Sequence, residues 1–190
     1  MGEVVRIAHH RPGSRIELLP MRRKHLPSVL RIESKVYPKA WSVGIFLSEL
    51  SLQDSRFYYV SVEDRKVTGY CGLMVVLDEG HITNIAVEPS FQGSGIATRL
   101  LLNAFQLALS HGVKDMTLEV RASNKRAQQL YYRFGFEPVG VRRGYYVDNG
   151  EDAIIMWSYG IDSNDQQERI AAIRASLELH DGQSGGKSAS

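Results

Sequence analysis

Residues 84–102 read NIAVEPSFQGSGIATRLLL, a strand-like run that passes through a proline-containing turn and QGSGIA directly into an apolar helix. Gly93 and Gly95 let the backbone approach a ligand closely, and the first helical turn presents unpaired N–H groups with a partial positive charge. A pyrophosphate fits such a place, although the same two glycines would also serve a plain strand-to-helix turn. No Gly-Lys-Ser/Thr follows and the strict GxGxxG spacing is absent, so the loop is neither a Walker A motif nor a dinucleotide fingerprint. Two further side chains can carry chemistry. Glu119, on an otherwise apolar strand, can take a proton or pair with Arg121 or Lys125 on a wet face. Tyr131 shares an inward helical stripe with Ala127, Leu130 and Phe134, where a phenol, protonated at neutral pH, either packs or donates a hydrogen bond.

The elements that must hold these residues follow from hydrophobic spacing. RIELLP at 15–20 predicts a short strand, and 22–36 a helix interrupted near Pro27. Ser42 caps a helix over 43–50 whose apolar side is Phe46, Leu47 and Leu50. FYYVSVED at 57–64 and TGYCGLMVVLD at 68–78 predict a hairpin across a charged DRK turn, and HITNIAV at 81–87 a third strand. Residues 95–111 switch to helical spacing, with His111 at the negative end and Gly112 as terminator. DMTLEVRA at 115–122 alternates as a strand, and Ser123 or Asn124 caps a helix ended by Gly135. FEPVGVRR and EDAIIMWSYGI form two last strands joined by the loop GYYVDNG.

This order predicts a mixed α/β fold, a largely antiparallel sheet flanked by helices. The division expected is a flexible extension at 1–14, one domain at 15–161 and a tail at 162–190. Within that tail QQERIAAIRASLEL at 166–179 is able to form an amphipathic helix or equally to stay partly disordered, and DGQSGGKSAS reads as flexible.

At 190 residues, with 43% hydrophobic and 23% charged residues, the chain can bury one sizeable core. A net charge of +2 is too small to argue for nucleic acid, despite Arg6, Arg11, Arg15, Arg22, Arg23 and Lys24 near the start. Cys71 is the single cysteine, which excludes an intramolecular disulfide and fits a reducing compartment. No apolar run is long enough to span a bilayer, the start lacks a signal peptide, and Arg6 breaks the myristoylation pattern, so a cytoplasmic protein is expected. No metal is expected. His9 and His10 read as part of the flexible start, Cys71 and Trp157 as core, and His81 as a residue within reach of the groove but with no role required by its spacing.

The loop containing Gln92, Gly95 and Ala97 resembles the coenzyme A loop of the GNAT superfamily, with Ala97 in place of the last glycine. LEVRASNKRAQQLYYRFGFEPVGVRRGYY and NGEDAIIM are similar to the RimI-type ribosomal-protein alanine N-acetyltransferases, a resemblance covering roughly 16–160 and best from 81 onward. It implies an acetyl-CoA site made by Ile85, Ala86 and Val87 along the strand and by Gln92, Gly93, Ser94, Gly95, Ile96, Ala97 and Thr98 in the loop. A backbone N–H near Val87 would polarise the thioester carbonyl. Asn124 matches a residue that contacts the coenzyme, and could equally cap its helix.

The resemblance further implies that Glu119 is the base and Tyr131 the acid. An α-amine, of reference pKa about 7.7 to 8.0, is mostly protonated at neutral pH and must lose a proton to react. Tyr145 and Tyr146 would pack against the first residues of an acceptor peptide, or form an ordinary aromatic hairpin. The acceptor implied is the N-terminal alanine of a small-subunit ribosomal protein. Alternatives are broader N-termini, lysine side chains, a small amine, or a coenzyme A-binding regulatory module without catalysis.

Overall fold

The computed structural model describes residues 16–185, the last six of them by backbone alone. The expected N-terminal extension with His9 and His10, and the final residues 186–190, lie outside the described residues. Strands β1 (Glu17–Pro20), β2 (Arg56–Glu63), β3 (Lys66–Val76), β4 (Glu79–Val87), β5 (Asp115–Arg121), β6 (Glu137–Tyr146) and β7 (Glu151–Ser158) form one sheet in the order β1-β2-β3-β4-β5-β7-β6. Every neighbouring pair is antiparallel except β4 and β5. The β2–β3 turn at Asp64 and Arg65 has both residues at positive φ, 47° and 66°, the primed geometry that matches strand twist.

Helices α1 (Leu26–Val36) and α2 (Val43–Ser51) cover one face, and α3 (Ile96–Ser110), α4 (Lys125–Arg133) and α5 (Asn164–Gly185) the other. Each face has its own core. Val29, Ile32, Phe46, Val60 and Tyr70 fill the first, and Leu101, Phe105, Met116, Phe134 and Met156 the second, all at or near zero exposure. The interruption expected near Pro27 is a 3₁₀ turn at Arg23–His25, after which Pro27 stands in the first turn of α1, where a missing N–H leaves no bond unmade. Ser42 caps α2 by accepting from the Ile45 amide, but of the expected apolar side only Phe46 is buried.

Three expectations differ from the structure. Trp157 is half-buried and stacks on exposed Tyr159 instead of sitting in the core, because it pairs with Thr117 on the face opposite Met116 and Leu118. Tyr145 and Tyr146 belong to β6, which continues three residues into the expected loop, since Tyr146 pairs with Glu151 across the hairpin. The helix expected within the tail runs from Asn164 to Gly185, and its Ile170, Ile173 and Leu177 are buried in the main core.

The sheet's one irregularity of consequence lies between β4 and β5. Their parallel pairing runs only from Glu79↔Asp115 to Ile82↔Leu118. Immediately beyond, the β3–β4 register shifts, with Gly72 opposite Asn84 and Leu73 opposite Ile82, so Thr83 is a bulge residue. The two strands part there, and the fork exposes one backbone edge of β4 from 83 to 87.

Candidate functional site

The fork opens into a cleft of about 660 Å³ lined from α1, β4, the loop after it, α3, β5, α4, β6 and α5. Ile85, Ala86, Val87, Gln92, Gly93, Gly95, Ile96, Ala97, Thr98, Glu119, Asn124, Tyr131 and Tyr146 all line it. Ser94 and Tyr145 do not. Ser94 turns its hydroxyl back to the Phe91 carbonyl at 2.6 Å, and Tyr145 lies half outside, near Arg142 and edge-on to Tyr146.

The loop at the head of α3 is held open by its own contacts. Gly93 and Gly95 take left-handed φ values of 90° and 78°. A Cβ on Gly95 would stand 2.6 Å from Arg99 Nη1 and 2.9 Å from Leu177 Cδ2, so a side chain there must displace both neighbours and take a left-handed φ that L residues resist. Arg99 donates to the Ser94 carbonyl at 3.1 Å, and Gln92 ties the loop to β4 by donating to the Val87 carbonyl at 3.4 Å. Arg126 donates to Gln92 Oε1 at 3.2 Å, bringing a cation from α4 to the turn. The first-turn amides of α3 face this space without helical partners, which suits an anion.

Along the fork, alternation sends the backbone groups of Ile85 and Val87 away from β3. The Tyr37 hydroxyl donates to the Ile85 carbonyl at 2.7 Å, so one of the polar groups on this edge is already engaged. Tyr37 follows α1 and was not marked by any local motif.

Glu119 is the first residue of β5 past the last pair with β4, placed where the strands separate. His81 Nε2 donates to its Oε2 at 2.7 Å, and Arg142 Nη2 lies 3.3 Å from its Oε1. The His81 hydrogen bond, with the charge of Arg142 behind it, outweighs burial and holds the Glu119 carboxyl below the usual carboxylate range. The pairing imagined with Arg121 or Lys125 is absent, because Arg121 bridges Asp148 at 2.7 Å and Glu151 at 3.0 Å while Lys125 reaches Gln128.

That Arg121 bridge also clamps the β6–β7 hairpin over the cleft. Its guanidinium lies 3.8 Å above the Tyr146 ring, whose phenol burial pushes up to about 12. Tyr131 is 5% exposed and packs edge-on to Phe136, and burial raises its phenol well above the ordinary value, so it stays protonated. Asn124 caps α4 by accepting from the Ala127 amide at 3.1 Å while also lining the cleft. Sequence spacing gave no sign of the roles of His81, Arg142 and Tyr37, because His81 and Arg142 meet Glu119 across strand register and Tyr37 reaches β4 from the end of α1.

Among the described residues there is no cluster of three or more potential metal ligands, and no helix is long and apolar enough to cross a membrane.

Comparison with known proteins gives the family. A Bacillus subtilis (strain 168) protein is 39% identical over 137 residues, covering 72% of this chain and 91% of the relative. The Escherichia coli (strain K12) ribosomal protein bS18-alanine N-acetyltransferase is 37% identical over 134 residues, covering 69% and 88%. The crystal structure of the ribosomal-protein-S18-alanine N-acetyltransferase from Escherichia coli superposes with a TM-score of 0.70 at 33% identity, covering 76% of this chain and 93% of that one. The profile of the Acetyltransferase (GNAT) family matches residues 26–136, from α1 through the glycine turn at the head of α3 and Glu119 to just past α4, and the chain belongs to that family.

Proposed function

We propose that the protein transfers the acetyl group of acetyl-CoA to the α-amine of a protein N-terminus, with the N-terminal alanine of ribosomal protein bS18 as acceptor. The observation that carries this reading is a single cleft joining an anion-binding helix start, an open strand edge, a base and an acid. The acceptor rests on the relatives, which act on that alanine by name. A ribosomal acceptor supports a cytoplasmic reaction.

Acetyl-CoA supplies an activated thioester, and the chain supplies the surroundings. The α3 amides after Gly95 hold the pyrophosphate, and the glycines at 93 and 95 keep side chains out of its way. In an extended strand the N–H and C=O of one residue point the same way. The Val87 carbonyl accepts from Gln92 in the loop beyond the strand, so its N–H also faces the fork, suited to a developing oxyanion.

Glu119 alone, held below the usual carboxylate range, is a weak base for an ammonium. Its partner changes the chemistry. The 2.7 Å contact with His81 Nε2 couples an imidazole to the carboxylate that lines the cleft, a pair through which the amine proton can be passed on. Glu119 and His81 therefore act as one unit in removing the amine proton. Tyr131 donates its hydroxyl proton toward the departing thiolate.

The acceptor assignment is tested with a peptide series differing only in the first residue, measured for initial rate with acetyl-CoA. Alanine at the first position should be preferred by kcat/KM; equal rates across the series would replace this acceptor with a broad one.

A further inference from the structure

Helix α5 lies beyond the family match, which ends at residue 136, and the Escherichia coli enzyme's structure, though 93% covered, accounts for only 76% of this chain. It is nevertheless part of the body. Gln166, Ile170, Ile173 and Leu177 recur at helical spacing and are its buried row. Gln166 Nε2 donates to the Phe134 carbonyl at 2.7 Å and its Oε1 fills the space beside Gly135, which pins the start of α5 to the end of α4. Three turns later Leu177 meets Gly95 at the start of α3, so α5 crosses the helical layer from one end to the other.

At that second end Ser176 and Leu177 line the cleft near the Gly93 turn that Arg126 approaches, and Arg133 lines it further along α4. The thioester end of the cofactor belongs in the fork, where Glu119 and Tyr131 stand. Whatever lies past the pyrophosphate must then occupy the opposite side of the phosphate turn, toward α4 and α5. That side offers an apolar side chain, a hydroxyl and two guanidinium groups, whereas the one carboxylate among the described lining residues is Glu119. An aromatic base carrying a phosphate fits this combination.

We propose that Ser176 and Leu177 of α5, with Arg126 and Arg133 of α4, form the subsite for the nucleotide end of acetyl-CoA. The helix thereby makes the enzyme discriminate coenzyme A from carriers that end at the pantetheine phosphate. This rests on the acetyl-CoA reading of the cleft.

Ser176 is exposed, so it can be changed without disturbing the buried row of α5. Calorimetric titration of the full-length protein with coenzyme A and with 4′-phosphopantetheine is the test, on the wild type, Ser176→Asp, Ser176→Lys and Leu177→Ala. A carboxylate at 176 should weaken coenzyme A about fivefold or more, and lysine should not weaken it. Both variants should leave 4′-phosphopantetheine within about twofold. Leu177→Ala should also weaken coenzyme A selectively. Equal weakening of both ligands, or coenzyme A affinity unchanged in Ser176→Asp, overturns the proposal. A wild type that binds neither ligand overturns the acetyl-CoA reading itself, a different outcome from one in which coenzyme A binds and α5 does not matter.

Discussion

At the scale of single residues, Glu119 is a carboxylate governed by its neighbours. His81 lowers its pKa most and Arg142 adds to that, against the effect of burial. Removing the Arg142 charge should let Glu119 bind its proton at higher pH. In Arg142→Ala the acid limb of kcat/KM against pH should therefore move upward, which a pH–rate profile reads directly. Glu119→Gln and Tyr131→Phe should fold normally and keep acetyl-CoA affinity while losing about a hundredfold or more in kcat. His81→Ala should lose turnover to a similar degree as Glu119→Gln, and the double variant little more than either, because the two act as one unit. Glu119 and Tyr131 could be singled out from the sequence because each stands in a local motif on a patterned element. His81 and Arg142 could not, since His81 reaches Glu119 across 38 residues and only the β4–β5 and β5–β7–β6 registers bring the three together.

At the scale of elements, the phosphate turn depends on a backbone that L side chains resist. Gly95 and Gly112 both have φ near +75°, but a Cβ at 112 meets nothing within 4 Å while one at 95 collides with Arg99 and Leu177. Gly112→Ala should cost about 1 kcal/mol and Gly95→Ala distinctly more, with acetyl-CoA affinity reduced only in the second; thermal melts and ligand titrations separate the two. Element order was readable because helix spacing and strand alternation are strong in this chain, as in the alternation of buried and half-buried residues along β5. The Thr83 bulge was not, since nothing in GHITNIAV distinguishes a bulged from a regular strand before its register with β3 is known. The opening for a ligand arises from that bulge. The length of β6 was likewise hidden, because Gly144 and the asparagine-glycine pair both suggest a turn and only the pairing of Tyr146 with Glu151 chooses between them.

At the scale of the whole molecule, the sheet carries two cores, and the one under α1 and α2 encloses a carboxyl. Glu33 is 2% exposed, accepts from the Trp41 amide at 3.0 Å and from the Tyr70 hydroxyl, and so ties the α1–α2 connection to β3. Burial raises its pKa to about 7 from 4.5. Between those values the folded protein holds a proton that the unfolded chain releases, so this group makes stability fall as pH rises from about 4.5 to 7. Glu33→Gln, which imitates the protonated form, should remove that component, worth up to about 3 kcal/mol, and flatten the dependence of melting temperature on pH over this window. A slope identical to wild type would mean that Glu33 is ionised at low cost.

Acetyl transfer to an α-amine is tested most directly by locating the acetyl group on the product. The decisive measurement uses two peptides of the same sequence beginning with alanine and containing one internal lysine, one with a free and one with a blocked α-amine. Each is incubated with the protein and acetyl-CoA, and the product is located by fragmentation mass spectrometry. Acetyl should appear on the α-nitrogen of the free peptide, with no product from the blocked one; acetyl-lysine in both, formed at equal rates, would rule out an α-amine acceptor.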